Sequence, residues 1–206
     1  MTTTLFTNAH IATGEPGSTA ASTLPLQDIL VTDGVFTAFG PGLAQQYEAQ
    51  GGNLAAIEVV DLGGKLVCPP FCDTHLHLDY VFTARKPGAV NESGTLFEGI
   101  QRWSETKSDL TVDEIKQRAK IGIKKEMLHG VQFIRSHADV TDPKLTSLKA
   151  LLELKEELKD TVNIQIVSFP QEGMYSYEGP HGESGADLVE EGLKMGADCV
   201  GGIPHF

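Results

Sequence analysis

With 206 residues, 40% apolar and 21% charged, the chain can bury a core as one domain or two small ones. Its formal net charge of −12 argues against nucleic acid and against a polybasic membrane anchor as partners. Its apolar stretches are too short to span a bilayer, Met1 to Phe6 lacks the pattern of a signal peptide, and three cysteines without framework spacing fit a reducing, cytoplasmic setting.

Residues 1–64 read as all-β. Leu30 to Phe39 places Asp33-Gly34 between two strand-like runs, the signal of a short hairpin. Gly14 to Ser22 is a loop by composition, and Ile57 to Leu62 alternates as a further strand. The segment is short for an independent sandwich, so it needs strands from elsewhere. From Leu66 an apolar run leads through Val67-Cys68-Pro69-Pro70-Phe71-Cys72-Asp73-Thr74 into His75-Leu76-His77, read as one strand. A long loop over roughly residues 80–110 follows. Thr111-Val112-Asp113-Glu114 then has the form of a capping box, opening a helix to about Leu128 that His129-Gly130 closes.

A second strand, Val131 to Ser136, ends in His137-Ala138-Asp139. A helix over about Lys144 to Lys159 carries a leucine stripe. The third strand, Val162 to Phe169, ends in Pro170-Gln171-Glu172-Gly173; a helix from about Gly185 to Met195 leads to the fourth, Asp198 to Ile203, before Pro204-His205-Phe206. Repeated strand–helix units with polar strand ends predict an α/β fold, the first half of an eight-stranded (β/α)8 TIM barrel over residues 65–206, preceded by part of a small β-sandwich. A whole barrel takes roughly 250 residues, so the sequence reads as the N-terminal part of a longer protein.

Alternate strand residues share a face, so His75 and His77 point the same way and can each give a nitrogen to one divalent ion, iron or zinc. Such an ion lowers the pKa of bound water to about 7 and suits hydrolysis, including hydrolytic deamination. The plainer alternative is a histidine pair hydrogen-bonded in a solvated loop. A Cys68–Cys72–His75–His77 zinc knuckle is set aside, because alternation puts position 72 opposite 75; both cysteines read as packing residues. His137, Asp139 and His205 lie on the same predicted rim and read as groups behind the metal ligands. Gln171 offers a donor and an acceptor to an amidine-like ring edge, although a loop glutamine in water fits the sequence as well. Walker, dinucleotide and cytidine-deaminase-fold motifs are absent.

Pro69-Pro70-Phe71 with His75-x-His77-Leu78-Asp79, Ser93 to Trp103, Arg135-Ser136-His137-Ala138-Asp139-Val140, Phe169 to Gly173 and Gly202 to Phe206 resemble motifs of the amidohydrolase superfamily, nearest to cytosine deaminase and its relatives. The resemblance covers about residue 57 to the end. It implies His75 and His77 as ligands of one iron or zinc ion, Gln171 on the substrate's polar edge, and the Leu96 loop as pocket lining. It implies conversion of cytosine to uracil and ammonia, as in pyrimidine salvage, by a homo-oligomer when full length. The acid–base residues it implies would follow later strands beyond Phe206, so no catalytic residue is identified here. Isoguanine, an s-triazine or a creatinine-like cyclic amidine are rival substrates. A half-barrel that binds a partner without catalysis is the rival of another class.

Overall fold

A computed structural model describes residues 2–12 and 24–203. The loop expected at Gly14 to Ser22, and Pro204-His205-Phe206 with its rim histidine, lie outside the described residues. The chain divides into two compact units, Met1–Pro69 and Pro70–Phe206.

In the first unit β1 (Thr3–Ile11) lies between antiparallel β2 (Leu26–Thr32) and parallel β4 (Glu58–Asp61), while β3 (Val35–Gly40) pairs with β2. The hairpin between β2 and β3 turns at Asp33 and Gly34, both at positive φ, as its Asp-Gly sequence requires. The all-β expectation needs one correction, since a short helix, α1 (Leu43–Ala49), follows the hairpin. Asp28 explains its place: the carboxylate accepts from the Leu43 N–H at 2.9 Å and from the Asn8 N–H at 3.2 Å, where β1 is irregular. Leu66 and Val67 form β5 beside β1, so they belong to this unit and do not run into the histidine strand.

The second unit is a parallel sheet in the order β6 (Phe71–Leu76), β7 (Val131–Asp139), β8 (Asn163–Phe169), β9 (Cys199–Val200). Four helices accompany it: α2 (Leu96–Lys107), α3 (Val112–Leu128), α4 (Thr146–Glu157) and α5 (Gly185–Met195). One sheet face is covered. Ile134, Ala138, Ile164 and Ile166 pack with Ile115, Ile123, Leu148, Leu151, Leu154 and Leu188 in one cluster. Each fully buried aliphatic side chain contributes about 1.5–3 kcal/mol, so this layer is what holds the strands in register.

Both Thr111/Glu114 and Ser184/Asp187 form reciprocal capping boxes. The long loop over 80–110 is in part wrong: Thr95 caps α2 there, its hydroxyl accepting from the Glu98 N–H. No described helix is long and apolar enough to cross a membrane.

Strand β6 is also less regular than a simple alternation. Cys72 pairs with Phe133 and Leu76 with Ser136, with a register shift between Asp73 and Leu76; the Asp73 carboxylate accepts from the His75 N–H at 3.0 Å. The extra residue turns the strand by one face, so Cys72 and His75 both lie on the Phe133–His137 side. Cys72 is therefore not on the face opposite His75, where strict alternation puts it. Cys68 and Cys72 are moreover exposed rather than packed.

Candidate active site

The uncovered face of this sheet carries the chemistry. His75 and His77 leave the end of β6 with ring centroids 5.3 Å apart. His137, on β7, stacks on His75 at 4.1 Å and 18°, while its ring lies 5.5 Å from that of His77. The main chain of residue 137 acts as well. Its carbonyl lies 3.1 Å from Nδ1 of His77, and a carbonyl only accepts, so Nδ1 carries the proton and Nε2 keeps its lone pair. Burial, with the neighbouring His137 and His75 rings, pushes the His77 imidazole down to about 4, so it is neutral at ordinary pH. Burial lowers His137 in the same direction.

Behind the rings the strand ends are tied by buried polar groups. The Leu78 N–H donates to the Ser136 hydroxyl at 3.1 Å, and the Asp139 N–H to the Asp79 carboxylate at 2.9 Å. Burial pushes the Asp79 carboxyl up to about 7, with the Asp139 charge adding to it. Asp139 accepts at one oxygen from the Thr141 hydroxyl, 2.6 Å, and at the other from the Trp103 indole N–H, 2.7 Å.

An open cavity of about 630 Å³ lies over the imidazoles. His75, His77, Leu96, Trp103, Phe169 and Gln171 are on its walls, so the site residues read from the sequence on β6, α2 and the β8 end meet around one space. Leu96 is the first residue of a helix rather than part of a loop. Tyr80 stacks on His77 at 4.5 Å and touches Trp103 at 4.6 Å, which makes one wall aromatic. Asp139 is buried beneath this wall, and His205 is outside the described residues. His181 is exposed. A second depression of about 470 Å³ further along the sheet, beside Cys72, Phe133 and Gln165, holds no imidazole.

Sequence reasoning did not single out Tyr80, Trp103 or Lys107. A signal for the last two existed: Thr95-x-x-Glu98 is an N-terminal capping pattern, and a helix started there puts Trp103 and Lys107 one turn apart on one side. Among the described residues no three His, Cys, Asp or Glu side chains converge as a metal cluster. The two imidazoles of β6 fit a divalent ion as neutral nitrogen donors, and His137, stacked flat on His75, does not complete the set.

The chain belongs to the amidohydrolase family, whose model matches residues 58–206. Among solved structures it is similar to 5-methylcytosine deaminase from Klebsiella pneumoniae liganded with 5-fluorocytosine: TM-score 0.80 and 40% identity, covering 98% of this chain and 43% of that one. N-isopropylammelide isopropyl amidohydrolase of Pseudomonas sp. (strain ADP) is 36% identical over 148 residues, which is 70% of this chain and 36% of that relative. N-isopropylammelide isopropylaminohydrolase from Burkholderia multivorans shares the fold, with TM-score 0.71 at 24% identity, covering 97% of this chain and 44% of that one. The chain thus spans less than half the length of each of these proteins.

Proposed function

We propose that this chain carries the first part of the active site of a metal-dependent hydrolytic deaminase acting on cytosine-type pyrimidines. The observation that carries the reading is the juxtaposition of two imidazoles and Gln171 around one aromatic-walled cavity. On this reading residues 70–206 supply the first four strands of a (β/α)8 barrel, and residues 1–69 part of a β-sandwich.

His75 and His77 would hold one divalent ion, iron or zinc, through neutral imidazole nitrogens. Bound there, the ion supplies the Lewis acidity that makes water a nucleophile at neutral pH. The protein's own groups do the rest. The His137 carbonyl fixes the tautomer of His77 so that a lone pair is available. Tyr80 and Trp103 offer flat apolar surface to a planar ring. Gln171, buried at 5% exposure, offers an amide that can donate to a ring carbonyl or nitrogen and accept from an amino group. A cavity walled in this way favours small planar rings bearing both an amino and a carbonyl group.

A second reading has a specific observation behind it: the Pseudomonas relative's name describes action on N-isopropylammelide. A substrate panel decides between them. Protein expressed from its own gene is assayed for ammonia or amine release from cytosine, 5-methylcytosine, isoguanine, N-isopropylammelide and creatinine. Cytosine-type pyrimidines are expected to have the highest kcat/KM, and parity with the other rings would remove the assignment. In Gln171→Ala the KM for cytosine is expected to rise by roughly 10-fold or more, the size of a lost buried hydrogen bond, with bound metal unchanged. Loss of metal in that variant would show that Gln171 serves the fold of the site rather than the substrate.

A further inference from the structure

Helix α2 forms a wall of the cavity through Leu96, Gly99, Ile100 and Trp103. Its ties to the strand ends are concentrated at its C-terminal end. The Trp103 indole N–H donates to Asp139 Oδ2 at 2.7 Å, and the Lys107 ammonium donates to the same oxygen at 3.0 Å. That ammonium also lies 2.9 Å from the Thr141 hydroxyl and 2.5 Å from the Glu172 carboxylate, to which the Ser104 hydroxyl donates at 2.6 Å. The Lys107 side chain is 10% exposed and that of Asp139 is 0% exposed, so solvent screens the pair little.

The two carboxylates have a common neighbour. Asp139 Oδ1 accepts from the Gln171 N–H at 3.3 Å, and Glu172 is the next residue in the chain. One ammonium on α2 therefore ties together the two acids that frame Gln171. We propose that Lys107 is a positioning residue: acting through Asp139 and Glu172, it sets the spacing between the Trp103 wall and Gln171, and so the fit of the cavity to a planar amino-heterocycle. Without its charge, a buried carboxylate faces a second carboxylate across the end of α2, and the favourable response is for the helix end to move outward and admit water. The assignment rests on the reading of this cavity as the substrate pocket.

Trp103 is the only tryptophan of the 206-residue chain, so its emission reports the wall directly and without any ligand. In Lys107→Met, which keeps the aliphatic stem, Trp103 emission is expected to shift to the red and acrylamide quenching to increase. The gene's full protein is expected to show a KM for cytosine raised by roughly 10-fold, about the value of one charge-assisted hydrogen bond, with kcat and bound metal near wild type. Lys107→Arg, which retains the charge, should recover most of both effects.

Unchanged emission and quenching in Lys107→Met would overturn the clamp, whatever the enzyme turns over. A fall in kcat with KM unchanged would overturn its role in fit. Should Lys107→Met not fold, Glu172→Gln removes only the less buried arm; the same red shift, smaller, is expected, and no shift overturns the proposal. A wild-type protein inactive on every heterocycle of the panel defeats the functional reading, while the Trp103 measurement still decides the clamp.

Discussion

At the scale of single residues, the strand ends are held by donors and acceptors that have no water to fall back on. Asp79 is fully buried, and its carboxylate accepts the Asp139 N–H that would otherwise be orphaned at the end of β7. Removing one partner of a buried hydrogen bond costs more than the bond contributes, because the other partner stays desolvated. Asp79→Ala is therefore expected to lower stability by about 1–3 kcal/mol. Asp79→Asn keeps an oxygen at the same place and should lose less. Urea denaturation of the two variants beside wild type checks the order; equal losses would mean that the side chain matters for its volume and not for its oxygen.

At the scale of elements, close approach and capping decide more than propensity. A Cβ added at Gly192 would stand 2.5 Å from the Ser168 hydroxyl and 3.1 Å from Leu148, so α5 rests directly on β8 and α4. Alanine is the better helix former by about 1 kcal/mol, yet overpacking costs about 1–3 kcal/mol, and the clash wins. Gly192→Ala is expected to lower the thermal midpoint, and a higher midpoint would mean that α5 slides freely on the sheet.

The loop before α2 has its own lock, since the Glu98 carboxylate accepts from the Ser93 and Glu92 N–H groups at 2.6 and 3.1 Å. The Ser93 hydroxyl first, then those two N–H groups, hold its carboxyl down at about 2. A depressed carboxyl stabilises the fold fully above its ordinary value near 4.5 and stops doing so as pH falls through about 2. Amide exchange at Ser93 should thus remain protected at pH 5 and lose protection toward pH 2. In Glu98→Gln the protection should already be weak at pH 5.

What could be read from the sequence at this scale follows from how local each signal is. The capping box at Thr111/Glu114 and the helix Gly185–Met195 are set within one turn of chain, and they stand where expected. Helix α2 hid because only Trp103 of its 12 residues is buried and Gly99 breaks its pattern. The imidazole pair and Gln171 could be placed on one rim because βα repetition puts strand ends together. The irregularity between Asp73 and Leu76, and the link from Lys107 to Asp139 and Glu172, depend on pairing between distant segments, which periodicity does not encode.

At the scale of the molecule, the parallel sheet of the second unit is covered on one face only, among the described residues. Parallel sheets ordinarily bury both faces, and unpaired strand edges are templates for another chain. Here β6 and β9 are the terminal strands of the order, Phe133 on the histidine face is 45% exposed, and Val200 on β9 is 51% exposed. The polar groups of that face do not offset the apolar ones. Arg135 already donates to Gln165 at 2.6 Å, which leaves Phe133 and Cys72 beside it in the open.

The physical expectation for the 206-residue species is concentration-dependent association through this face. Sedimentation velocity over a range of concentrations should show the average mass climbing above 22.2 kDa. Phe133→Ser, which removes apolar area without touching a strand hydrogen bond, should shift that climb to higher concentration. If association persists unchanged in Phe133→Ser, the edges rather than the face carry it, and a lysine at Val200 becomes the informative change. A monomer at every concentration would mean that the exposed face is stable in water as it stands and that its unburied apolar surface drives no association.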